Sequence, residues 1–371
     1  MNIDLDIARG DPILGFLRDK VGVSTVFRAV LFGWLLRAVS IFLLPWLVGL
    51  LDVALKDVPS LIMSVITFPT VAAFYISQSS MVEEVAEGLL ETKIVAMEGE
   101  WKRVYAQRLK RWLAWRLWFW LVFADVSLGL ILHAYMVVSH AAPALYWYYS
   151  PLHPIVFFLY NLPMMWLFVY MGAMFVVKQV VVISWLFGLL KNARLNLYVL
   201  HPDKCGGIAF LGRFSLRNSY FLGVLGLNFG LLSLAVSHLY HVPPFSQPDF
   251  VLVVCAFFVA VPLLFLLPLL PAHNGMKSAK EDTLRKISEV ADSLYDEIQN
   301  QITANGEISR EYLRRLDDLR KVYNIAQSFP VWPFDVGTLK HLVAITISPF
   351  LPSLIEWMGL VAYRTLISVM K

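Results

Sequence analysis

Long apolar runs alternate with shorter polar segments along most of the chain, and they predict membrane-spanning helices. A helix needs about 20 apolar residues to cross roughly 30 Å of hydrocarbon, and six runs approach or exceed this length. A seventh apolar segment contains Pro349, Pro352 and Glu356, which favour a re-entrant or interfacial helical pair as much as a span. The predicted spans are 29–51, 60–77, 113–137, 154–178, 218–240 and 249–271, and the seventh segment is 339–361.

Two polar segments have a helical periodicity of their own. From Met81 to Trp112, apolar residues recur at helical spacing between an acidic start and a basic end, which predicts one amphipathic helix that runs into the third span. Residues 278–325 predict a helical hairpin whose two apolar stripes pack together or dock onto another subunit or protein. These stripes are Ile287, Val290, Leu294, Ile298 and Ile302 on one arm, and Leu313, Leu316, Leu319, Val322 and Ile325 on the other.

Composition supports the same class of protein. Of the 371 residues, 58% are hydrophobic and only 16% are charged, which is unlike ordinary soluble domains. We therefore predict an all-α fold: a polytopic integral membrane helical bundle with six transmembrane helices, a seventh or re-entrant C-terminal segment, and a cytoplasmic helical hairpin. The first 28 residues contain four aspartates and no compact apolar core with a cleavage site, so we expect no removable signal peptide.

The distribution of lysine and arginine predicts the topology. Short loops rich in these residues stay cytoplasmic, and they are concentrated before the first span and in the second and fourth loops. Six spans with both termini in the cytoplasm satisfy this bias. We predict that the protein lies in the plasma membrane or in a bacterial inner membrane. The predicted segments are a cytoplasmic N-terminus (1–28), two spans (29–77), an amphipathic cytoplasmic helix (78–112), a four-span core (113–271) with a cytoplasmic turn (198–213), a cytoplasmic hairpin (272–338) and a C-terminal membrane or re-entrant segment (339–371).

Two charged residues lie inside predicted spans, where charge is costly. Arg37 and Asp125 are about 12 and 18 Å from the cytoplasmic end of their helices at the helical rise of about 1.5 Å per residue, so we predict that they can meet. The pair is interpreted either as a buried structural ion pair or as a conduction or proton-coupling site, and snorkelling of Arg37 alone is a third interpretation. Lys178, near the inner boundary, is predicted to snorkel to the interface.

Small residues form a stripe along the fifth span, at alternating spacings of four and three. Gly226 and Gly230 form a GxxxG pair within it, which lets another helix approach closely. We interpret the stripe as a packing surface within the bundle or between subunits of a homo-oligomer; a narrow pore lining is the alternative. Its members are Ser219, Gly223, Gly226, Gly230, Ser233 and Ser237.

The segment "HPDKCGG" (residues 201–207) lies between the fourth and fifth spans. His201, Pro202 and Asp203 spell the tripeptide of J-domain co-chaperones, and this resemblance implies a separate soluble bundle of about 70 residues, which the flanking apolar spans exclude. His201, Asp203 and Cys205 are metal-ligand types, but the loop has no second ligand cluster. We predict a compact turn in which Gly206 and Gly207 adopt positive φ, with a gate or a partner contact as the functional alternative.

Tryptophan and arginine alternate in "RWLAWRLWFW", at the start of the third span. Interleaved aromatic and basic residues can stack on single-stranded nucleic acid, but at the head of an apolar span they more simply anchor the helix at the lipid headgroups. We therefore predict an anchor in the lipid bilayer and no nucleic-acid partner. The alternating residues are Trp112, Trp115, Trp118 and Trp120 with Arg111 and Arg116.

Five histidines are predicted at the outer face, where they are weak candidates for a zinc or copper site or a pH sensor. We interpret them as interfacial residues without a metal, and we predict no cofactor. The only two cysteines, Cys205 and Cys255, allow no disulfide framework. The five histidines are His133, His140, His153, His238 and His241.

These features favour a non-enzymatic ion or small-solute channel or carrier. Its support is the intramembrane charge pair, the small-residue stripe and the prolines inside spans, which break helices as in many transporters. The alternative is a membrane sensor or scaffold subunit that signals to a cytoplasmic partner through the 278–325 hairpin. An intramembrane lipid enzyme ranks last, because no nucleophile with an oriented base can be identified.

Overall fold

Seven long apolar helical segments dominate the structure, which is a computed structural model. It describes residues 10–90, 94–96, 99–139, 161–195, 201, 203, 205–240, 245, 248–305 and 310–359. Within these residues, seven helical segments are long and apolar enough to cross a membrane. The predicted class, an all-α membrane helical bundle, is confirmed. A short antiparallel strand pair, β1 (Val95–Ala96) with β2 (Arg194–Leu195), is the sheet formed by the described residues.

Six helices form the N-terminal part of the bundle. A short amphipathic helix, α1, precedes α2 of the first span, and the second span is completed by the long helix α6, which packs along α2. The helices are α1 (Pro12–Asp19), α2 (Val26–Ala38), α3 (Leu44–Leu47), α4 (Leu51–Lys56), α5 (Val58–Ile62) and α6 (Phe68–Leu90), with π-helical turns at Val39–Leu43 and Met63–Thr67.

The contacts around Pro69, just after the π-helical turn Met63–Thr67, show how this bundle tolerates proline inside a span. Proline has no N–H for the carbonyl four residues earlier, which here belongs to Val65. The indole nitrogen of Trp34 on α2 donates to this carbonyl at 2.9 Å. A Cβ on Gly33 would lie only 2.7 Å from the Cα of Pro69, so the glycine lets α2 approach Pro69 closely. A neighbouring helix thus replaces the hydrogen bond that lipid cannot supply.

The prediction of a single amphipathic helix from Met81 to Trp112 is wrong. Helix α6 ends at Leu90, and a new helix, α7 (Gly99–Leu113), begins after β1. The interruption is a non-local effect, because the backbone of β1 pairs with β2, about a hundred residues later in the chain. The buried side chains of Ile94 and Val95 then join the core.

The third to fifth spans are long, continuous helices. Helix α9 packs against α6, α7 and α8, and α10 packs against α6 and the C-terminal segment. Helices α9 and α10 extend well beyond the predicted cytoplasmic boundaries of their spans, at positions 178 and 218, so the bundle continues past these apolar runs. The three helices are α8 (Arg116–Ser139), α9 (Leu162–Asn192) and α10 (Ala209–Tyr240).

The sixth span continues out of the bundle as one arm of a hairpin. Helix α11 (Pro248–Leu266) passes through a 3₁₀ turn, Leu267–Leu269, into α12 (Leu270–Asn305), which packs against α13 (Arg310–Ser328). The predicted hairpin is therefore confirmed. Its base is fixed by Lys280, whose ammonium donates to the carbonyls of Gln327 and Phe329 at 2.6 and 2.8 Å and so satisfies the end of α13.

The hairpin buries only part of the predicted apolar stripes. Leu294 and Ile298 on α12 are buried, as is Ala326 on α13. The remaining apolar residues of the stripes lie toward the edges of the two-helix interface, where a third element would be needed to cover them. Those exposed are Val290, Ile302, Leu313, Val322 and Ile325.

The seventh apolar segment runs beside α10 along most of its length. It consists of α14 (Val336–Ile347), a 3₁₀ turn (Ser348–Phe350) and a further helical segment, α15 (351–359). The contacts advance in the same order along both segments: 212 with 333, 223 with 345, 230 with 349, and 237 with 356. The segment is thus parallel to α10, and its length and direction match a span rather than a re-entrant pair.

Candidate functional site

A fully buried carboxylate, that of Asp11, lies where α1 meets α6 and α9. Its Oδ2 accepts hydrogen bonds from the Lys178 ammonium and the Tyr75 hydroxyl, both at 2.7 Å. Its Oδ1 accepts from the Tyr170 hydroxyl at 2.8 Å and from the backbone N–H of Leu14 at 3.2 Å. Asp11 is 0% exposed and Lys178 is 3% exposed, so this ion pair is enclosed by protein. We call Asp11, Tyr75, Tyr170 and Lys178 the carboxylate cluster.

The local sequence explains how Asp11 enters the bundle. Asp11 is the N-cap of α1, and the following proline occupies the first turn, where its missing N–H costs nothing. Gly10 lies directly against the chain between α7 and α8, where a Cβ would overlap the carbonyl oxygen of Leu113. Leu14 and Leu17 bury the other face of α1. The segment therefore inserts as a capped, amphipathic helix.

One sequence-based interpretation is corrected by this cluster. Lys178 does not snorkel to the interface, because its ammonium is buried and bonded to Asp11. The N-terminal segment, predicted to be cytoplasmic, packs against the bundle through Gly10, Asp11, Leu14 and Leu17, and its side of the membrane stays a prediction. Sequence reasoning missed the pair because its partners are 167 residues apart; the one available signal was a lysine at the end of an apolar run.

An aromatic triad, Phe74, Phe175 and Phe221, joins α6, α9 and α10 beside this cluster. The ring centroids of Phe74 lie 5.9 Å from Phe175 and 5.7 Å from Phe221, and those of Phe175 and Phe221 are 4.2 Å apart. Phe74 on α6 contacts Phe221 on α10, and Glu84, later on α6, accepts a hydrogen bond at 2.7 Å from Arg217, earlier on α10. The two helices are therefore antiparallel. The triad thus marks one level that the three helices share.

Three buried carboxamides lie one helical turn from the triad, all on the same side. Gln78 follows Phe74 by four residues, Gln179 follows Phe175 by four, and Asn218 precedes Phe221 by three on the antiparallel helix. All three are at most 1% exposed. We call these residues, together with the buried Ser215 on α10, the carboxamide layer. Lys178 adjoins Gln179 in the chain and so links the layer to the carboxylate cluster.

Most polar atoms of the carboxamide layer have no protein partner. The Gln78 amide nitrogen donates to the carbonyl of Phe175 at 2.7 Å. Among the described residues, no hydrogen bond is made by Gln78 Oε1, by either amide atom of Gln179 or Asn218, or by the Ser215 hydroxyl. Each buried unsatisfied polar group costs about 1–3 kcal/mol. Both hydrogen-bond donors and hydrogen-bond acceptors are therefore left over in the layer.

The predicted ion pair between Arg37 and Asp125 is not formed, although both residues are within the described part of the chain. Arg37 is buried, and its Nε donates to the hydroxyl of Ser64 at 2.8 Å, between the two π-helical turns. Its guanidinium also lies 5.8 Å from the ring centroid of Phe68. Asp125 is exposed on α8. Both residues were predicted at comparable depths in the membrane. The rotation of each helix about its axis decides whether the side chain faces the bundle or its outer surface.

The small-residue stripe on α10 packs against elements of the same chain. A Cβ on Gly223 would meet Ile345 of α14, and one on Gly226 would meet the ring of Phe257 of α11. At Gly230 a Cβ would overlap the carbonyl oxygen of Pro349, and the Ser237 hydroxyl donates to Glu356 Oε1 at 3.1 Å. Ser219 is buried, and its hydroxyl bonds the carbonyl of Ser215; Ser233 is partly buried.

The "HPDKCGG" segment forms a cap on α10. Asp203 Oδ1 accepts from the backbone N–H groups of Cys205 and Gly207 at 2.9 and 3.0 Å, and Oδ2 accepts from that of Ala209 at 3.2 Å. The His201 ring nitrogen Nδ1 lies 2.7 Å from Asp203 Oδ1. Gly206 and Gly207 have φ of 72° and 95°, which confirms the predicted positive φ. Pro202 lies outside the described residues.

Two pKa shifts accompany this cap. Partial burial alone would raise the pKa of Asp203, but the three backbone N–H donors and His201 lower it below its ordinary value. Burial, with the nearby carboxylates of Asp203 and Asp335, raises the pKa of the Cys205 thiol to about 11. Cys205 is therefore protonated at neutral pH, which suits a packed thiol rather than a reactive one.

Replacing Asp203 with alanine is expected to destabilise the start of α10 by about 0.5–2 kcal/mol at neutral pH, the usual cost of losing a helix cap. Because the pKa of Asp203 is lowered in the folded protein, its contribution is present above the unfolded pKa of about 3.9 and is lost as pH falls below it. Hydrogen exchange of the amides of Cys205, Gly207 and Ala209 measures the effect. Asp203→Asn, which keeps one acceptor oxygen, is the matched variant; equal exchange in all three proteins would contradict the assignment.

The five candidate histidines of the outer face cannot be placed. His140, His153 and His241 lie outside the described residues, and the side chains of His133 and His238 are likewise not described. Within the described residues, no group of three histidine, cysteine, aspartate or glutamate side chains converges as metal ligands would.

Fold and site together define a polytopic helical membrane protein with a buried charged and polar centre. Comparison with protein-family models, with curated proteins and with solved structures finds no match for this chain.

Proposed function

We propose that this protein is a non-enzymatic membrane carrier for an ion or a small polar solute. The observation that carries the proposal is the carboxamide layer, in which buried donors and acceptors on three separate helices lack protein partners. A guest with both kinds of group would recover the free energy that these atoms forfeit. The carboxylate cluster beside the layer supplies a fixed ion pair that orients the helices around it.

The surroundings of the layer favour a carrier over an open channel. The aromatic triad closes one side of the layer, with its two closest ring centroids 4.2 Å apart. The chain between α11 and α12 changes from α-helix to a 3₁₀ turn at Leu267–Leu269, which packs against α9 and α10, two of the helices that carry the layer. Interrupted helices beside a polar site are typical of transporters that alternate between two accessible states.

Charge distribution supports a direction for the bundle. The end that carries α7 and the hairpin is rich in lysine and arginine, and such ends remain cytoplasmic. We therefore propose a cytoplasmic N-terminal side, in the plasma membrane or a bacterial inner membrane. Because the segment beside α10 runs parallel to it, position 359 would then lie at the opposite face.

Flux measurements on purified protein in liposomes test the proposal. We propose Gln179→Met and Asn218→Leu, which remove the unpartnered polar atoms and keep the volume. The expected result is loss of at least about tenfold in flux, as for a site that loses its specific hydrogen-bonding groups, with unchanged or higher thermal stability. Gln299→Met, at an exposed position of α12, is the matched control. The probes are H⁺, Na⁺, K⁺ and Cl⁻ with indicator dyes, and urea and glycerol by vesicle swelling.

Three results would count against this proposal. Absence of flux for every probe, in liposomes that contain folded protein, removes the support for transport. Flux that survives in both variants would show that the layer is not on the path. A fall in stability in the variants, without an effect on flux, would assign the carboxamides to packing.

A second candidate function, docking through the hairpin, is favoured by the exposed apolar side chains there. Val290, Leu313, Val322 and Ile325 are 47–54% exposed, at positions that would pack in a larger helical assembly. The occupant would be a cytoplasmic protein or a second copy of the chain in a homo-oligomer. Deletion of residues 278–325 should then abolish a captured partner or lower the oligomeric mass, while membrane insertion is retained; a full set of partners after deletion would exclude this role.

A further inference from the structure

A groove on the outer surface of the bundle lies between the α7–α8 junction and α9. Its volume is about 480 Å³, which is within the range of about 300–1,000 Å³ common for ligand sites. Seven of its eight lining residues are tryptophan or valine. They are Trp112, Trp115, Trp118, Val176, Val177, Val180, Val181 and Ser184. We call this feature the tryptophan groove.

The tryptophan groove opens where the bundle would meet lipid. Val176 and Val180 on α9 are 46% and 57% exposed, and Trp115 is 50% exposed. Water would not cover such an apolar surface favourably, whereas a hydrocarbon chain would fill it. The groove follows α9, so an extended chain can lie along the helix.

The tryptophans are held in place rather than splayed. Helix α7 ends at Leu113 and α8 begins at Arg116, and the bend between them brings the three indoles together. The Trp118 indole N–H donates to the carbonyl of Trp112 at 3.2 Å, and the rings of Trp115 and Trp118 meet edge to face at 5.4 Å. The groove wall is thus preorganised, which lowers the entropic cost of binding.

Basic residues lie on the two helices that supply the tryptophans of the groove. The guanidinium of Arg108 lies 4.5 Å from the Trp112 ring centroid. Arg111 and Arg116 are exposed, one on each side of the helix junction. Arginine is the side chain best suited to bind a phosphate with two parallel hydrogen bonds. An apolar groove with Arg108 against one of its tryptophans, and with Arg111 and Arg116 next to Trp112 and Trp115 in the chain, matches an amphiphile with an anionic head.

We propose that the tryptophan groove binds an anionic phospholipid. One acyl chain lies against Val176 and Val180, and the phosphate contacts Arg108, Arg111 and Arg116. This assigns a specific site to a region where interleaved tryptophan and arginine would otherwise indicate only general anchoring. The site shares no residue with the carboxamide layer, so lipid binding can be tested independently of transport.

Tryptophan fluorescence in vesicles tests the site directly. The full-length protein is reconstituted into phosphatidylcholine that contains the same small fraction of either dibrominated phosphatidylglycerol or dibrominated phosphatidylcholine. Bromine on the acyl chain quenches nearby indoles. The chain has 12 tryptophans, so the contribution of the groove is the part of the quenching that variants of the groove remove. The anionic lipid is expected to quench at least about twofold more strongly, since each basic residue near the surface attracts anionic lipid.

Two pairs of variants separate a specific site from bulk contact. Arg108→Gln, Arg111→Gln and Arg116→Gln together should reduce the quenching ratio to about one, whereas Arg285→Gln, Arg314→Gln and Arg315→Gln on the hairpin should leave it unchanged. Val180→Phe, which fills the groove, should lower quenching by the anionic lipid. Val259→Phe is its control, because Val259 is 64% exposed on α11.

Equal quenching by both lipids in the native protein would overturn the proposal and indicate unselective contact with the bilayer. A ratio that survives the groove triple variant, or that falls equally in the hairpin triple variant, would also overturn it. Far-ultraviolet circular dichroism confirms that each variant keeps its helical content, so loss of quenching is not confused with unfolding.

Discussion

Replacing Asp11 with alanine is expected to destabilise the folded protein by about 3–5 kcal/mol, the usual cost of removing one partner of a buried ion pair. The reason is that the Lys178 ammonium stays buried without a counter-charge, since it is 3% exposed in the native fold. The hydroxyls of Tyr75 and Tyr170 lose their acceptor in the same variant. Thermal or denaturant unfolding in detergent measures the loss.

The charge explanation can be separated from a simple packing effect. The double variant Asp11→Ala with Lys178→Met removes both charges, and it should be more stable than Asp11→Ala alone because the two residues are coupled. Asp19→Ala is the control, because the Asp19 side chain is 62% exposed and forms its ion pair, within the described part of the chain, with its neighbour Arg18. The ion pair does not stabilise the bundle if the effects of Asp11→Ala and Lys178→Met on the free energy of unfolding simply add in the double variant. The same conclusion follows if Asp11→Ala changes stability no more than Asp19→Ala.

Replacing Gly230 with alanine should destabilise the protein by about 1–3 kcal/mol, as is usual for overpacking a core. A Cβ at this position would overlap the carbonyl oxygen of Pro349. The overlapping atom belongs to backbone rather than to a flexible side chain, so the strain is relieved only if the C-terminal segment moves away from α10. Thermal unfolding gives the stability change, and faster proteolysis of residues 330–359 would report the displacement.

Gly129 provides the matched control for this substitution. It is a glycine inside another long apolar helix, α8, and a Cβ there meets no atom within 4 Å. Gly129→Ala should therefore be neutral or stabilising by about 0.5–1 kcal/mol, because alanine is the better helix former. Equal effects at both positions would mean that the close approach between α10 and the C-terminal segment does not matter for stability.

The sequence predicted those features that depend on local periodicity. The seven apolar segments correspond to long helices, and both arms of the hairpin follow the spacing of their leucines and isoleucines. The stripe from Ser219 to Ser237 was likewise visible, because small residues on one helix face need no partner to be recognised. What covers the stripe was not predictable: Pro349 and Pro352 suggested a break, yet Pro349 is accommodated in a 3₁₀ turn at the start of a further helix.

The candidate site depends on contacts that periodicity does not encode. Asp11 was grouped with other acids of a polar N-terminal segment, and only the packing of α1 against α6 and α9 brings it to Lys178. Gln78, Gln179 and Asn218 fell at or beside the predicted boundaries of spans, where polar residues need no explanation. Because α6, α9 and α10 continue past those boundaries, the same residues are buried. Arg37 and Asp125 were predicted to meet, yet they do not pair. Depth in the membrane does not determine which face of a helix packs into the bundle.

The continuity of α11 and α12 gives the molecule a mechanical property. From Lys277 to Asn305 the first arm of the hairpin is about 42 Å long at the helical rise of about 1.5 Å per residue, and it is joined to a transmembrane helix without an intervening loop. The 3₁₀ turn at Leu267–Leu269 lies between the transmembrane helix and this arm. A tilt of about 5° at that turn would move the far end of α12, about 53 Å away along the helix, by about 5 Å. A small change of angle at the turn is thus converted into a displacement of several ångströms at the tip of the hairpin.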